Sequence, residues 1–135
     1  MFYDFAIVVT AGTPATAPIE QKLKLTHGVI HRVEVEFYPG VERTVSLSLY
    51  HGGHQLYPTN PEGKFSTNGY TIAFDDFYEL TAAPYLLKAR AYSPNAIYDH
   101  TIVVRIGLIE SEVALSMLKV AKGLTKFLKL VGITI

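Results

Sequence analysis

The chain has no cysteine and no tryptophan among its 135 residues, two methionines, and no acidic residue after Glu112. Without cysteine, disulfides and thiolate metal sites are excluded, while the compartment stays open. No lysine-free apolar stretch approaches the ~20 residues that a membrane-spanning helix requires, so the expectation is a soluble or surface-attached protein. The missing acids in the tail expose a division hidden by the formal net charge of zero. Lys22, Lys24, Arg32, Arg43, Lys64, Lys88, Arg90 and Arg105 face all twelve acids, leaving −4 on the body. The tail returns +4 through Lys119, Lys122, Lys126 and Lys129. That asymmetry points to a molecule built to be assembled or attached.

What is present favours strands. Nine tyrosines and seven phenylalanines sit among many Val, Ile and Thr, and Gly and Pro fall mainly between the apolar runs. The length suits one domain with a real core. Together these predict a mainly β protein, a single antiparallel β-sandwich of jelly-roll-like form, rather than an α/β fold. Ala15-Thr16-Ala17 resembles a signal-peptidase site, but no basic segment precedes it, Asp4 interrupts the start and Pro18 would follow the cut. Residues 2–10 therefore read as a strand, apolar enough to be buried on both faces.

Alternation predicts further strands at 19–26, 29–37, 45–50, 70–74, 85–92 and 100–109, with a short one at 55–57. In 29–37, Val29, Val33, Val35 and Phe37 share one face and Arg32, Glu34 and Glu36 the other. In 100–109, His100, Ile102, Val104, Ile106 and Leu108 share a face, leaving Arg105 opposite with Glu34 or Glu36 as cross-strand partners. The segment 51–69 (HGGHQLYPTNPEGKFSTNG) reads as a series of turns.

From Val113 the rhythm changes, dividing the chain into a β-domain (1–112) and a C-terminal amphipathic helix with its tail (113–135). Val113, Met117, Val120, Leu124, Phe127 and Val131 recur at spacings of 4, 3, 4, 3 and 4, as in a coiled-coil seam. At 100° per residue the four lysines span an arc of about 80° away from that seam. Ala114, Ala121 and Leu128 widen its apolar side, and Gly132 is a natural C-cap. Three destinations stay open for the seam: the protomer's own sandwich, neighbouring subunits, or a membrane surface.

Five histidines raise metal binding, and His51 and His54 bracket Gly52-Gly53. Neither they nor His27 and His31 form a recognised ligand motif, so they read as turn and hydrogen-bonding residues with no metal or cofactor assigned. Asp75, Asp76 and Glu79 read as a solvated turn, and Asp99 as a hydrogen-bond partner of His100. No nucleophile elbow or phosphate loop is present, and the reading is of a non-enzyme with no catalytic residues. The acidic body argues against nucleic acid. Tyr50, Tyr57, Tyr70, Tyr78, Tyr92 and Tyr98 suit a core or subunit interface, or alternatively a carbohydrate- or ligand-binding module using loop tyrosines.

FYPG at 37–40, HGGHQLYPTNPEGKF at 51–65 and PYLLKARAYSPNAIYDHTIVVRIGL at 84–108 together resemble a recurrent family of small β-sandwich proteins from phage-like and environmental bacterial sequences. The likeness covers roughly residues 26–109, omits the helix and carries no catalytic signature. It implies a virion or assembly component. The expectation is thus a self-associating structural subunit of a viral particle or similar assembly, of capsid or decoration type. Its loop at His51, His54, Tyr57 and Asn60 would contact neighbours, and its helix would dock within or between subunits. Partners would be further copies or other virion proteins.

Overall fold

Where apolar and polar residues alternate, a strand can bury one face and wet the other, and eight segments of this chain do so. The computed structural model describes residues 1–130 and 132, leaving aside the side chains of Ser111 and Leu128. The strands are β1 (Phe2–Val9), β2 (Ile19–Lys24), β3 (Gly28–Phe37), β4 (Ser46–His51), β5 (His54–Tyr57), β6 (Tyr70–Leu80), β7 (Leu86–Tyr92) and β8 (His100–Ile109). One helix, α1 (Ser111–Leu130), follows.

The pairing partners are β1 with β8, β2 with β7, β3 with β6 and β4 with β5, all antiparallel. The chain is therefore one long hairpin whose tip is the turn between β4 and β5. Folding that ribbon over lets β3 also pair with β8, and β4 with β7. Two four-stranded sheets result, ordered β1-β8-β3-β6 and β2-β7-β4-β5. This is the jelly-roll form of the expected sandwich. Its core comprises Ile7, Val9, Leu23, Ile30, Val33, Val35 and Phe37, with Leu47, Leu49, Leu87, Ile102, Val104, Ile106 and Leu108.

Three elements depart from the reading of the sequence. The first strand is an edge strand with one solvated face, leaving Phe2 and Val8 exposed rather than doubly buried. Its outward positions are Phe2, Asp4, Ala6 and Val8, so a single polar residue had to carry the whole alternation. Second, the acidic segment is strand: β6 continues to Leu80 instead of turning after Phe74. As a sheet edge it tolerates charge. Asp75 pairs with Arg32 at 3.0 Å, and Asp76 accepts the Tyr57 hydroxyl at 2.6 Å.

Third, the register of β3 shifts between Ile30 and Arg32 against both neighbours. This bulge at His31 puts Ile30 on the inner face with Val33, Val35 and Phe37. Val29 is turned to the outer face, where it is buried without belonging to the sandwich core. A smaller correction concerns Asp99, whose carboxylate accepts the Ala11 N–H at 2.7 Å rather than a His100 bond. Arg105 does reach both expected partners, Glu36 at 2.6 Å and Glu34 at 3.7 Å, and adds Asp4 at 3.5 Å.

The close approach of β3 to β8 is testable at its start. A Cβ on Gly28 would stand 2.5 Å from the Ile109 carbonyl oxygen, whereas one on Gly53 would meet nothing within 4 Å. Gly28→Ala is expected to cost about 2 kcal/mol in urea unfolding. Gly53→Ala should stay within ~0.5 kcal/mol of the parent.

Candidate functional site

The helix begins two residues earlier than its periodicity suggested, and its contact with the sandwich is confined to its first two turns. Ala114 is 1% exposed and Leu118 half-buried. With Leu115 they line a cavity of about 140 Å³ against Val29 and Phe77 on the outer face of the β1-β8-β3-β6 sheet. The Ala114 N–H donates to the Glu110 carbonyl at 3.0 Å, joining the strand's end to the first turn. Gly132, with φ of 84°, donates its N–H to the Lys129 carbonyl, the positive-φ ending expected of it.

The docked side is not the seam. At 100° per residue, the side carrying Ala114, Leu115 and Leu118 lies roughly 150° around the helix from the seam. Val113, Met117, Val120, Leu124 and Phe127 are accordingly 49–72% exposed. Ala114, expected to widen the seam, faces the sandwich instead. Of the three destinations left open for the seam, the protomer's own sandwich is not the one it takes. Val131, its last expected member, lies outside the described residues, as does the side chain of Leu128. Lys119, Lys122, Lys126 and Lys129 are all exposed, and their arc follows the docking side farther along the helix. The helix thus has an attached side that becomes basic and a free side that is apolar.

The expected contact loop divides. His51-Gly52-Gly53-His54 forms the two-residue turn of the β4–β5 hairpin, with Gly52 at φ 63°. His54 and Asn60 are exposed. Tyr57 is not available for contact: its ring lies 5.0 Å from that of Phe74, and its hydroxyl donates to Asp76. Burial, then the neighbouring carboxylate, raises the Tyr57 pKa and keeps it a neutral donor. His51 also turns inward, with Nδ1 hydrogen-bonded to the Tyr78 hydroxyl. These two contacts clasp the open ends of the sheets.

One residue was missed. The Gln55 amide Nε2 donates toward the carbonyls of Pro58, Asn60 and Gly63 at 2.8, 3.3 and 3.0 Å. The loop around 58–63 is organised on this single side chain. Its only trace in the sequence is a polar residue within a short apolar strand.

The tyrosines separate in the same way. Tyr57 and Tyr78 pack inward, while Tyr70 and Tyr98 are 63% and 73% exposed. Tyr50 and Tyr92 stand on the outer face of the β2-β7-β4-β5 sheet, beside Arg90, Lys64 and Ser48. The Arg90 guanidinium lies 4.5 Å from the centre of the Tyr50 ring and donates from Nε to Glu20 at 2.8 Å. That bond from Arg90, opposed by partial desolvation and aided by Lys88, lowers the Glu20 pKa. Two cations thereby stay organised on a carboxylate.

The His51 clasp predicts a pH effect. Burial, followed by the charge of His54, lowers the His51 pKa below 6.5. Above pH 6.5 both folded and unfolded states hold it neutral, so its full contribution is present. As the pH falls from 6.5 toward the lower folded value, the unfolded chain takes up the proton first and stability is lost. Thermal melts at pH 7 and pH 5 should therefore show a smaller acid-induced drop in Tm for His51→Gln than for the parent; equal drops would contradict the assignment.

Compared with family models, curated proteins and solved structures, the chain matches none of them.

Proposed function

We propose that the protein is a self-associating structural subunit whose C-terminal helix joins the helices of neighbouring copies. The reading rests on one observation: the seam from Val113 to Phe127 is half or more exposed, on the side of α1 opposite its own docking contact. To bring it onto the same sandwich, the helix would have to release Ala114. A second helix of the same kind supplies matching knobs and holes at the 4,3 spacing. Burying the exposed part of each seam side chain contributes about 1 kcal/mol. Five per copy make association able to offset the loss of free tumbling.

A viral particle is the assembly that the sequence resemblance implies, and a jelly-roll body suits it. That fold also occurs in lectins, so it admits the virion reading without selecting it. An interfacial membrane helix is less well supported. It would bury the same free apolar side, but no tryptophan marks its boundary and the lysine arc is narrow, whereas the 4,3 spacing suits a helical partner. The sandwich supplies a folded block, the first helical turns fix the direction of the seam, and the seam supplies adhesion.

The native mass of the full chain tests this reading. Met117→Glu with Leu124→Glu should convert an oligomer into a monomer with an unchanged sandwich melting transition. Lys122→Glu with Lys126→Glu should leave the oligomer in place. A parent chain that is monomeric at about 100 µM would overturn the proposal, that concentration being well above the Kd of specific assemblies.

A further inference from the structure

The outer faces of the two sheets differ in sign. On the β1-β8-β3-β6 sheet, Asp4, Glu34, Glu36, Asp75 and Glu79 outnumber Arg32 and Arg105, and both arginines are held in ion pairs. On the β2-β7-β4-β5 sheet, Lys22, Lys24, Lys88 and Arg90 accompany one acid, Glu20. Lys64 joins them because the Leu47–Phe65 bridge turns Phe65 toward the core and its neighbour outward. The body is acidic in sum, so this positive face is a local arrangement.

Within that face lies a groove of about 250 Å³, walled by Tyr50, Tyr92, Lys64 and Arg90, with Ser48 at its floor. Ser48 is only 2% exposed, yet its hydroxyl makes no hydrogen bond among the described residues and, as no buried side-chain oxygen there is left without a partner, it opens to the groove. Lys64 makes no ion pair among them. Arg90 is held in place by Glu20 and the Tyr50 ring, and its five N–H donors outnumber those two partners. A preset cation, a second cation, a serine hydroxyl open to the groove and two tyrosines converge on a space suited to one ring-sized molecule.

We propose that this groove binds an acidic sugar unit. The carboxylate would sit between Arg90 and Lys64, and the ring hydroxyls would meet Ser48 and the two tyrosines. Charge-assisted bonds favour the anion, while tyrosine offers an apolar ring with a polar tip to the sugar. A bare phosphate would use the cations and accept from the Ser48 hydroxyl, but it would leave the faces of the two tyrosine rings uncovered. The tyrosines concerned belong to the sheet face, not to the loops, and the site is independent of the helix seam.

Saturation-transfer NMR on the full chain with glucuronate as probe tests the site. Transfer is expected, with a Kd of about a millimolar, ordinary for a ligand of this size. Glucose should bind at least about tenfold more weakly, as the charge-assisted bonds are lost. Lys64→Met and Arg90→Gln should each weaken glucuronate about tenfold, and inorganic phosphate should displace it only in about tenfold excess. No transfer to glucuronate, or an unchanged Kd in both variants, would overturn the proposal. Displacement by equimolar phosphate would overturn it as well, reducing the groove to a simple anion site.

Discussion

At His31 one extra residue enters β3, and the consequences reach the far end of the chain. The bulge turns Val29 out of the core and onto the outer face of its sheet. There it forms, with Phe77, the apolar spot on which Ala114 and Leu118 settle. Once those two are seated, the phase of the helix is fixed, because residues 100° apart cannot be reassigned without unwinding it. Val113, Met117, Val120, Leu124 and Phe127 must then face away from the sandwich. A local irregularity in one strand thereby decides that the apolar seam of the helix is offered outward.

The sandwich beneath is held by its own strand pairing. Its two sheets close because a single ribbon pairs twice, first along its length and then when β3 meets β8 and β4 meets β7. At the tip, Tyr57–Asp76 and His51–Tyr78 tie one sheet to the other. The aromatic residues there hold the fold, which removes them from the set of contact residues. Surface charge follows the same division of labour. The acidic face is largely internally paired, as in the Arg105 cluster, and exposed pairs of that kind add little stability. The positive face retains donors beyond those its own carboxylate uses.

Much of this was legible in the sequence, for definite reasons. Alternation located the strands because nearly every one has a dry face and a wet face. The 4,3 spacing located the helix, and the glycines and prolines of 51–69 marked a region of turns without showing that Gly52-Gly53 is a hairpin tip. The bulge left no mark, since Val29 keeps the parity of Val33 and Val35, and only the partners' register reveals the slip. Asp75 and Asp76 suggested a turn because strands seldom carry adjacent acids; an edge position and an Arg32 partner override that preference. Tyr57 looked like a loop residue because the signals around it are glycine and proline. The groove was invisible because Ser48, Lys64 and Arg90 come from separate segments that meet only through the jelly-roll pairing.

The absence of cysteine allows a direct measurement of the central claim, since any single introduced thiol reports one position alone. Val120→Cys places it on the seam and Lys122→Cys on the opposite side of the same helix. If copies associate through the seam, alkylation at position 120 will be at least about tenfold slower than at 122, as expected for a thiol buried in an interface. The difference should vanish on dilution to monomer. Equal alkylation rates at high concentration would contradict the account.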